Sequence, residues 1–245
     1  MSVYFIGGDD STLTEGSRNP IKESHNRAVA EEARYYSLSK RVFRVLAPFY
    51  DVAFELLSFG AVSRLREHVV DITDLHEGSL VLDVATGTGG QALAFARRGI
   101  DVAGVDLSRD MLEIATQKNV YGNVWFEVAD ATKLPFENEV FDAACVSFAL
   151  HDMVLTIIEK VLTEMVRVTK TNGTIIIVDY DLPKESLRRT LLYNFVRLYE
   201  VYYSEFIKQD FEALLRKSGI ETKEKHSVLL GAIRILRGIK MEEKS

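Results

Sequence analysis

The sequence predicts an α/β fold in which a doubly wound, mostly parallel, seven-stranded sheet carries helices on both faces. From Leu80 onwards, short apolar runs alternate with amphipathic stretches, which is typical of strands that are joined by helices. Gly99 and Gly173 stand where two of these helices are expected to end, because glycine readily adopts the positive φ of a helix C-terminus. Right-handed crossovers then leave few topologies for the sheet.

The individual elements follow from the spacing of the apolar residues. Strands are predicted at residues 80–85, 101–106, 124–128, 143–148 and 174–179. Helices are predicted between them at residues 90–98, 109–118 and 153–169. A long helical stretch is predicted at about residues 184–217, and two final strands near residues 221–229 and 232–236.

Composition argues against several classes of protein. The chain has 245 residues, 47% of them apolar, which is enough to bury the core of one domain. Its net charge of −6 disfavours nucleic acid as a partner. The single cysteine, Cys145, rules out an internal disulfide and a thiolate zinc cluster, and we expect it to be a small buried hydrophobe. Because we find neither a membrane-spanning stretch nor a signal peptide, we expect a cytoplasmic protein without stable membrane insertion.

A glycine-rich turn follows the first predicted strand, in the run VLDVATGTGG. Gly87 and Gly89 let the backbone turn tightly and approach a ligand closely, at the edge of the sheet where doubly wound folds bind their ligands. Asp106 ends the next strand, 19 residues after Gly87, and a carboxylate there can accept hydrogen bonds from both hydroxyls of a ribose. The turn also satisfies G-x-G-x-x-A, so a nicotinamide dinucleotide is an alternative ligand.

Three features favour an adenosyl group that carries an ammonium over a dinucleotide. Asp83 precedes Gly87 by four residues, where a carboxylate would crowd a pyrophosphate but suit an ammonium group. Asp130 and Ala131 follow the third strand and would bring a carboxylate and a backbone N–H to an adenine edge. About 79 residues precede the strand that leads into the turn, whereas dinucleotide domains more often start near it.

Together these motifs resemble the class I S-adenosylmethionine-dependent methyltransferases, over roughly residues 80–179. The motif Asp83-x-Ala85-x-Gly87-x-Gly89 is similar to the first motif of that family. The resemblance implies a Rossmann-like fold, S-adenosyl-L-methionine as cofactor and S-adenosyl-L-homocysteine as product. No metal is expected.

The same resemblance assigns further cofactor contacts. Asp106 is similar to the family residue that holds the ribose hydroxyls, and Asp130-Ala131 is similar to the adenine site. Phe148 lies in FDAACVSFALHDM, which resembles the fourth strand of the family and its following loop. Leu107 and Met111 are candidates for packing against the adenine, although ordinary core packing explains them equally well.

Within this superfamily the chain most resembles the ubiquinone/menaquinone biosynthesis C-methyltransferases and their relatives. The residues that carry this resemblance are Tyr50-Asp51, Leu57-Ser58-Phe59-Gly60, Arg167-Val168 and Lys170. The implied function is methyl transfer to a small-molecule acceptor that is aromatic or apolar. A nicotinamide-dependent oxidoreductase and a non-catalytic S-adenosylmethionine-binding protein are the alternatives.

Candidates for the acceptor side are a histidine and several tyrosines. His151 follows a predicted strand at the carboxyl edge of the sheet, and it is the candidate base that removes a proton from the acceptor. His151, Tyr50, Tyr199 and Tyr202 are the candidates for the acceptor pocket. So many tyrosines near the end of the chain indicate a partly apolar cavity or a dimer face, so we expect a monomer or a homodimer.

The chain is predicted to form one domain, over residues 26–245, behind a mobile tail at residues 1–25. Within the domain we expect a helical cap, a cofactor-binding core, a helical insertion on the substrate side and the last two strands, at residues 26–78, 79–180, 181–219 and 220–237.

Overall fold

The computed structural model describes residues 60–197 and 202–242. Its α-helices there are α1 (Ala61–Ile72), α2 (Gly90–Ala96), α3 (Arg109–Lys118), α4 (Leu155–Val168), α5 (Ser186–Arg197), α6 (Tyr203–Phe206) and α7 (Phe211–Lys217). Its strands are β1 (Leu80–Val84), β2 (Asp101–Asp106), β3 (Val124–Val128), β4 (Phe141–Ser147), β5 (Thr169–Tyr180), β6 (Ile220–Val228) and β7 (Ile233–Lys240). The predicted tail, most of the predicted cap, Tyr50 and Tyr199 lie outside the described residues.

The seven strands form one sheet in the order β3-β2-β1-β4-β5-β7-β6. The pairs among β1 to β5 are parallel, and β7 is antiparallel to both of its neighbours. A short 3₁₀ turn, Leu229–Gly231, joins β6 to β7, and so short a connection allows only an antiparallel pair. The predicted mostly parallel, seven-stranded sheet is therefore confirmed.

Helices cover both faces of this sheet. On one face, α1 and α2 pack over apolar side chains that include Val81, Val102 and Ile176. On the other face, α4 and α7 cover the alternate residues of the same strands, such as Leu82. Because both faces are buried, the strands consist of nearly continuous apolar runs. Cys145, on β4, is fully buried in the first of these cores, as predicted.

The helical stretch predicted at residues 184–217 is not one helix. It is divided into α5, α6 and α7, and the side chain of Asp210 caps the start of α7 by accepting the backbone N–H of Ala213. No helix in residues 60–197 and 202–242 is long and apolar enough to cross a membrane.

Candidate active site

A pocket opens at the carboxyl ends of β1, β2 and β4, where the strand order reverses between β1 and β4. Such a switch point is where doubly wound sheets bind their ligands. The predicted cofactor residues that line it are Asp83, Ala85, Gly87, Asp106, Leu107, Met111, Asp130, Ala131 and Phe148. The fold therefore brings residues from the carboxyl ends of four successive strands, β1 to β4, and from α3 to one pocket.

Asp83, near the end of β1, provides a buried carboxylate in this pocket and is only 1% exposed. Its Oδ2 accepts the hydroxyl of Thr86 at 2.6 Å, and the backbone N–H of Ala92 in the first turn of α2 also donates to the carboxylate. Burial nevertheless raises the pKa of Asp83 to about 7, and the nearby charge of Arg66 offsets only part of that effect. A cation placed beside Asp83 would therefore restore its ionised form.

Asp106 ends β2 and contacts the glycine turn. Its Oδ2 accepts the backbone N–H of Gly87 at 2.9 Å, and its Oδ1 accepts the backbone N–H of Ser108 at 2.8 Å. Burial raises the pKa of Asp106 above its usual value. Ser108, not Asp106, caps α3, because its hydroxyl accepts the N–H of Met111. The backbone N–H of Leu107 also donates to this carboxylate. Because two carboxylate oxygens can accept about four hydrogen bonds in all, Asp106 keeps capacity for a ligand hydroxyl.

Gly87 and Gly89 differ in what surrounds them. Gly87 has φ +55°, and a Cβ built there meets no described atom within 4 Å, so the backbone is open to a ligand in the pocket. Gly89 has φ +78°, and a Cβ there would lie 2.9 Å from both the Ala115 methyl group and the Phe126 ring. Gly89 was predicted as a cofactor residue, but it is not among the described residues that line the pocket. The contacts around Gly89 show a packing role, because the missing side chain lets α2 approach α3 and β3.

Two other residues of the pocket have a strained backbone. Ala85, just after β1, has φ +52°, and Phe148, just after β4, has φ +53°. Residues with a side chain rarely adopt this left-handed conformation, which costs about 1–3 kcal/mol. Both positions lie at the strand ends that meet at the switch point, where the chain turns around the pocket.

Asp130 and Ala131 line the pocket from the turn that follows β3. The Oδ1 of Asp130 accepts both the backbone N–H and the hydroxyl of Thr132, at 2.8 and 2.7 Å. This fixes the turn that presents Ala131. Leu107 and the 3% exposed side chain of Met111 line the wall nearby.

Sequence reasoning missed other residues of the pocket, chiefly Arg66. It comes from α1, and its guanidinium lies over Gly90 so closely that a Cβ there would be 2.5 Å from its Cζ. No local pattern marks Arg66, because an arginine on an amphipathic helix is usually solvated. Thr86 and Thr88 also line the pocket, and their position on either side of Gly87 in the glycine-rich turn is the sequence feature that indicates this.

His151 lies in the 3₁₀ turn Leu150–Asp152 and is not among the described lining residues, although its neighbour Asp152 is. It is 4% exposed, and its Nδ1 lies 2.7 Å from Oδ1 of Asp179, which is fully buried at the end of β5. The Asp179 carboxylate also accepts the backbone N–H of His151 at 3.2 Å. Because a carboxylate accepts hydrogen bonds, this pairing places the proton of a neutral imidazole on Nδ1 and makes Nε2 the basic nitrogen.

Aromatic rings connect His151 to the pocket. The ring of Tyr180 lies 4.6 Å from that of His151 and 5.9 Å from that of Phe148, which lines the pocket. The ring of Phe206 lies 6.3 Å from His151 on another side. Tyr202, predicted for the acceptor pocket, is partly buried against the core under α4 and is not among the described lining residues.

The residues present fit an S-adenosyl group. The buried carboxylate of Asp83 and the partly buried carboxylate of Asp106 have raised pKa values that a cation or hydroxyl donors would lower again. Gly87 leaves its backbone open, and Arg66 brings a positive charge to the same pocket as Asp83. Among the described residues there is no group of three or more His, Cys, Asp or Glu side chains that could hold a metal ion.

Comparison with known proteins decides among the possible ligands of this pocket. The model of the ubiE/COQ5 methyltransferase family matches residues 28–209. The chain belongs to this family. It is 36% identical over 187 residues to the demethylmenaquinone methyltransferase of Paenarthrobacter aurescens, covering 74% of this chain and 68% of that protein. It is also 30% identical to the ubiquinone/menaquinone biosynthesis C-methyltransferase UbiE of an Enterobacter species, covering 85% of this chain and 93% of the relative.

The ubiE/COQ5 protein described here is thus an S-adenosylmethionine-dependent methyltransferase. Neither the oxidoreductase nor the non-catalytic alternative has support. A solved S-adenosylmethionine-dependent methyltransferase of Aquifex aeolicus has the same fold, with a TM-score of 0.58 and 21% identity over 72% of this chain and 89% of that one.

Proposed function

We propose that the protein transfers a methyl group to a ring carbon of a demethylated quinol. The relatives named above are a demethylmenaquinone methyltransferase and a quinone-biosynthesis C-methyltransferase. The observation that carries the proposal is the buried His151–Asp179 pair beside the pocket, together with the rings of Tyr180 and Phe206. Such surroundings suit a flat apolar ring that must lose a proton.

The pocket residues would hold the cofactor by complementary charge and hydrogen bonding. Asp83 would pair with the ammonium group and Arg66 with the carboxylate of the methionyl part, since the two side chains bring opposite charges to one pocket. Asp106 would accept the ribose hydroxyls. The turn at Asp130 and Ala131 would bind the adenine. When bound, S-adenosylmethionine supplies the methyl group, and its sulfur keeps the electron pair of the broken bond.

His151 would act as the base on the acceptor side. The ring carbon that gains the methyl group loses its proton, and Nε2 of His151 would receive it, directly or through a water. Asp179 would stabilise the imidazolium, because its carboxylate already pairs with Nδ1. The reduced, quinol form is the reactive acceptor in this scheme, because its ring is electron-rich enough to attack an electrophilic methyl group.

The helical segments on either side of the core would form the acceptor chamber. We propose this role for residues 26–78 and 181–219, because substrate selection in such folds resides outside the cofactor motifs. Tyr50, Tyr199 and Tyr202 stay candidates for its wall. A cytoplasmic monomer or homodimer without a nucleic-acid partner remains our expectation.

The proposal is tested with purified protein, deuterated methyl donor and a short-chain demethylmenaquinol kept reduced under anaerobic conditions. Mass spectrometry and NMR should show one labelled methyl group on the ring carbon. His151→Gln should lower kcat by about 100-fold, the contribution typical of a general base, with unchanged affinity for S-adenosylhomocysteine. His76→Gln, an exposed histidine before β1, is the matched control. An O-methylated product, or no product from a protein that binds S-adenosylhomocysteine, would contradict the proposal.

A further inference from the structure

Arg234, on β7, is a buried cation that the cofactor site does not use. It is 6% exposed, and neither its Nε nor its Nη2 has a hydrogen-bond partner among the described residues. Burial lowers its pKa despite the nearby charges of Asp181 and Asp179. Buried polar groups are nearly always paired in folded proteins, so two unpaired guanidinium nitrogens need an explanation.

Among the described residues, the surroundings of Arg234 supply attraction, but no acceptor pairs with its Nε or Nη2. Its guanidinium carbon lies 5.0 Å from the ring centre of Phe206 and 4.5 Å from that of Phe211. Cation–π contacts of this kind compensate for only part of the lost hydration. The oxygens of Asp179 are already engaged by His151 and by the backbone N–H of Tyr180.

Arg234 lies on the acceptor side of the fold. It is directly opposite Asp179 in the β5–β7 pair, so the two side chains leave the same face of the sheet. Asp179 in turn binds His151, and Phe206 contacts both the His151 ring and the Arg234 guanidinium. The proposed base and the unpaired cation therefore share two neighbours.

We propose that Arg234 binds an anionic oxygen of the methyl acceptor and thereby selects acceptors that carry one. This inference rests on the proposed function, because it takes the region around His151 as the acceptor site. The anionic oxygen belongs either to a phenolate of the acceptor ring or to a carboxylate attached to that ring. Either would accept hydrogen bonds from Nε and Nη2 in the fork geometry that guanidinium offers.

Binding of small naphthalene probes tests this role without turnover. Isothermal titration calorimetry on the protein saturated with S-adenosylhomocysteine would compare 1-naphthol, 1-hydroxy-2-naphthoate and 1-methoxynaphthalene, which has no ionisable oxygen. Arg234→Met and Arg234→Gln should raise the Kd of the anionic probe, 1-hydroxy-2-naphthoate, about 10- to 100-fold, as expected for the loss of a hydrogen bond to a charged group. Binding of 1-methoxynaphthalene should not change.

The matched control is Arg237→Gln, which removes one positive charge from the same strand. Arg237 is paired with Glu224 at 2.9 Å, and strand alternation puts it on the opposite face from Arg234. A loss confined to 1-hydroxy-2-naphthoate would identify a carboxylate, and a loss for 1-naphthol as well would identify the ring oxygen. Probe affinities within twofold of wild type in both Arg234 variants, or no probe binding to wild type, would overturn the inference.

Thermal unfolding separates binding from a structural role. Arg234→Met replaces an unpaired buried cation by an apolar chain of similar length, so its Tm should be equal to or above that of wild type. A lower Tm with unchanged probe binding would make Arg234 structural and overturn the inference. If demethylmenaquinol is not methylated but naphthol binding depends on Arg234, the quinol assignment fails and the anion site stands.

Discussion

Asp83 links the chemistry of one residue to the pH dependence of the whole protein. Burial raises its pKa from 3.8 to about 7 in the folded protein. Between these values the folded protein holds a proton that the unfolded chain has released. The stability that Asp83 contributes to the ligand-free protein is therefore greatest below the lower value and is lost, by an amount on the order of a few kcal/mol, as the pH rises through about 7.

We predict that Asp83→Asn removes this loss of stability, because asparagine does not titrate. Urea unfolding at pH 5 and pH 8 would measure the free energy of unfolding for both proteins. Asp110→Asn, an exposed residue in the first turn of α3, should keep the wild-type pH dependence. Equal pH dependence in wild type and Asp83→Asn would show that Asp83 titrates normally.

Ligand binding should respond to pH in the opposite direction. An ammonium group favours the ionised form of Asp83, so the affinity for S-adenosylhomocysteine should rise between pH 6 and pH 8, with release of a proton. Calorimetry in buffers of different ionisation enthalpy would detect that proton. If the wild-type protein releases no proton on binding, Asp83 does not pair with the ammonium group.

At the scale of an element, the turn from β1 into α2 uses its two glycines for different purposes. Gly89 directly precedes α2 as its N-cap, at a position where a methyl group would meet Ala115 and Phe126 at 2.9 Å. Gly87 faces open space in the pocket and donates its N–H to Asp106. We therefore expect Gly89 to serve packing and Gly87 to serve the ligand.

Replacing each of the two glycines by alanine should therefore separate an effect on stability from an effect on ligand binding. Gly89→Ala should lower the free energy of unfolding by about 2–4 kcal/mol through overpacking and backbone strain. Gly87→Ala should lower the free energy of unfolding only by the backbone strain, about 1 kcal/mol. It should weaken the binding of S-adenosylhomocysteine at least tenfold. Chemical denaturation and calorimetry on both variants would check this. Similar losses of stability in both variants would contradict the assignment.

For the whole molecule, one pocket formed by the two halves of the sheet should recognise the adenosyl cofactor and reject nicotinamide dinucleotides. At 100 times its Kd, S-adenosylhomocysteine should stabilise the protein by about 2.7 kcal/mol. For a chain of this length that raises Tm by about 5–10 °C. Differential scanning fluorimetry with NAD at the same concentration should show no shift, and a shift with NAD alone would contradict the pocket assignment.

The sequence by itself determined the order of the elements and the strand-end residues that line the pocket. Apolar periodicity marked each strand of the parallel core, because buried strands and amphipathic helices have different spacings. The residues Asp83, Gly87, Asp106 and Asp130 lie at or just after strand ends, and parallel strands bring such ends to one edge of a sheet.

Only the tertiary structure decided which distant side chains meet. Arg66 reaches the pocket from a helix that precedes the sheet, and Arg234 reaches Asp179 from a strand more than fifty residues later in the chain. Neither position has a local pattern, because an exposed and a buried arginine look alike in sequence. The surroundings of Gly89 could not be predicted from the sequence either. A Cβ built there would meet residues of α3 and β3, and no spacing rule places those residues beside it. Local patterns therefore predict the residues at the end of a strand, whereas contacts between elements depend on how helices pack on the finished sheet.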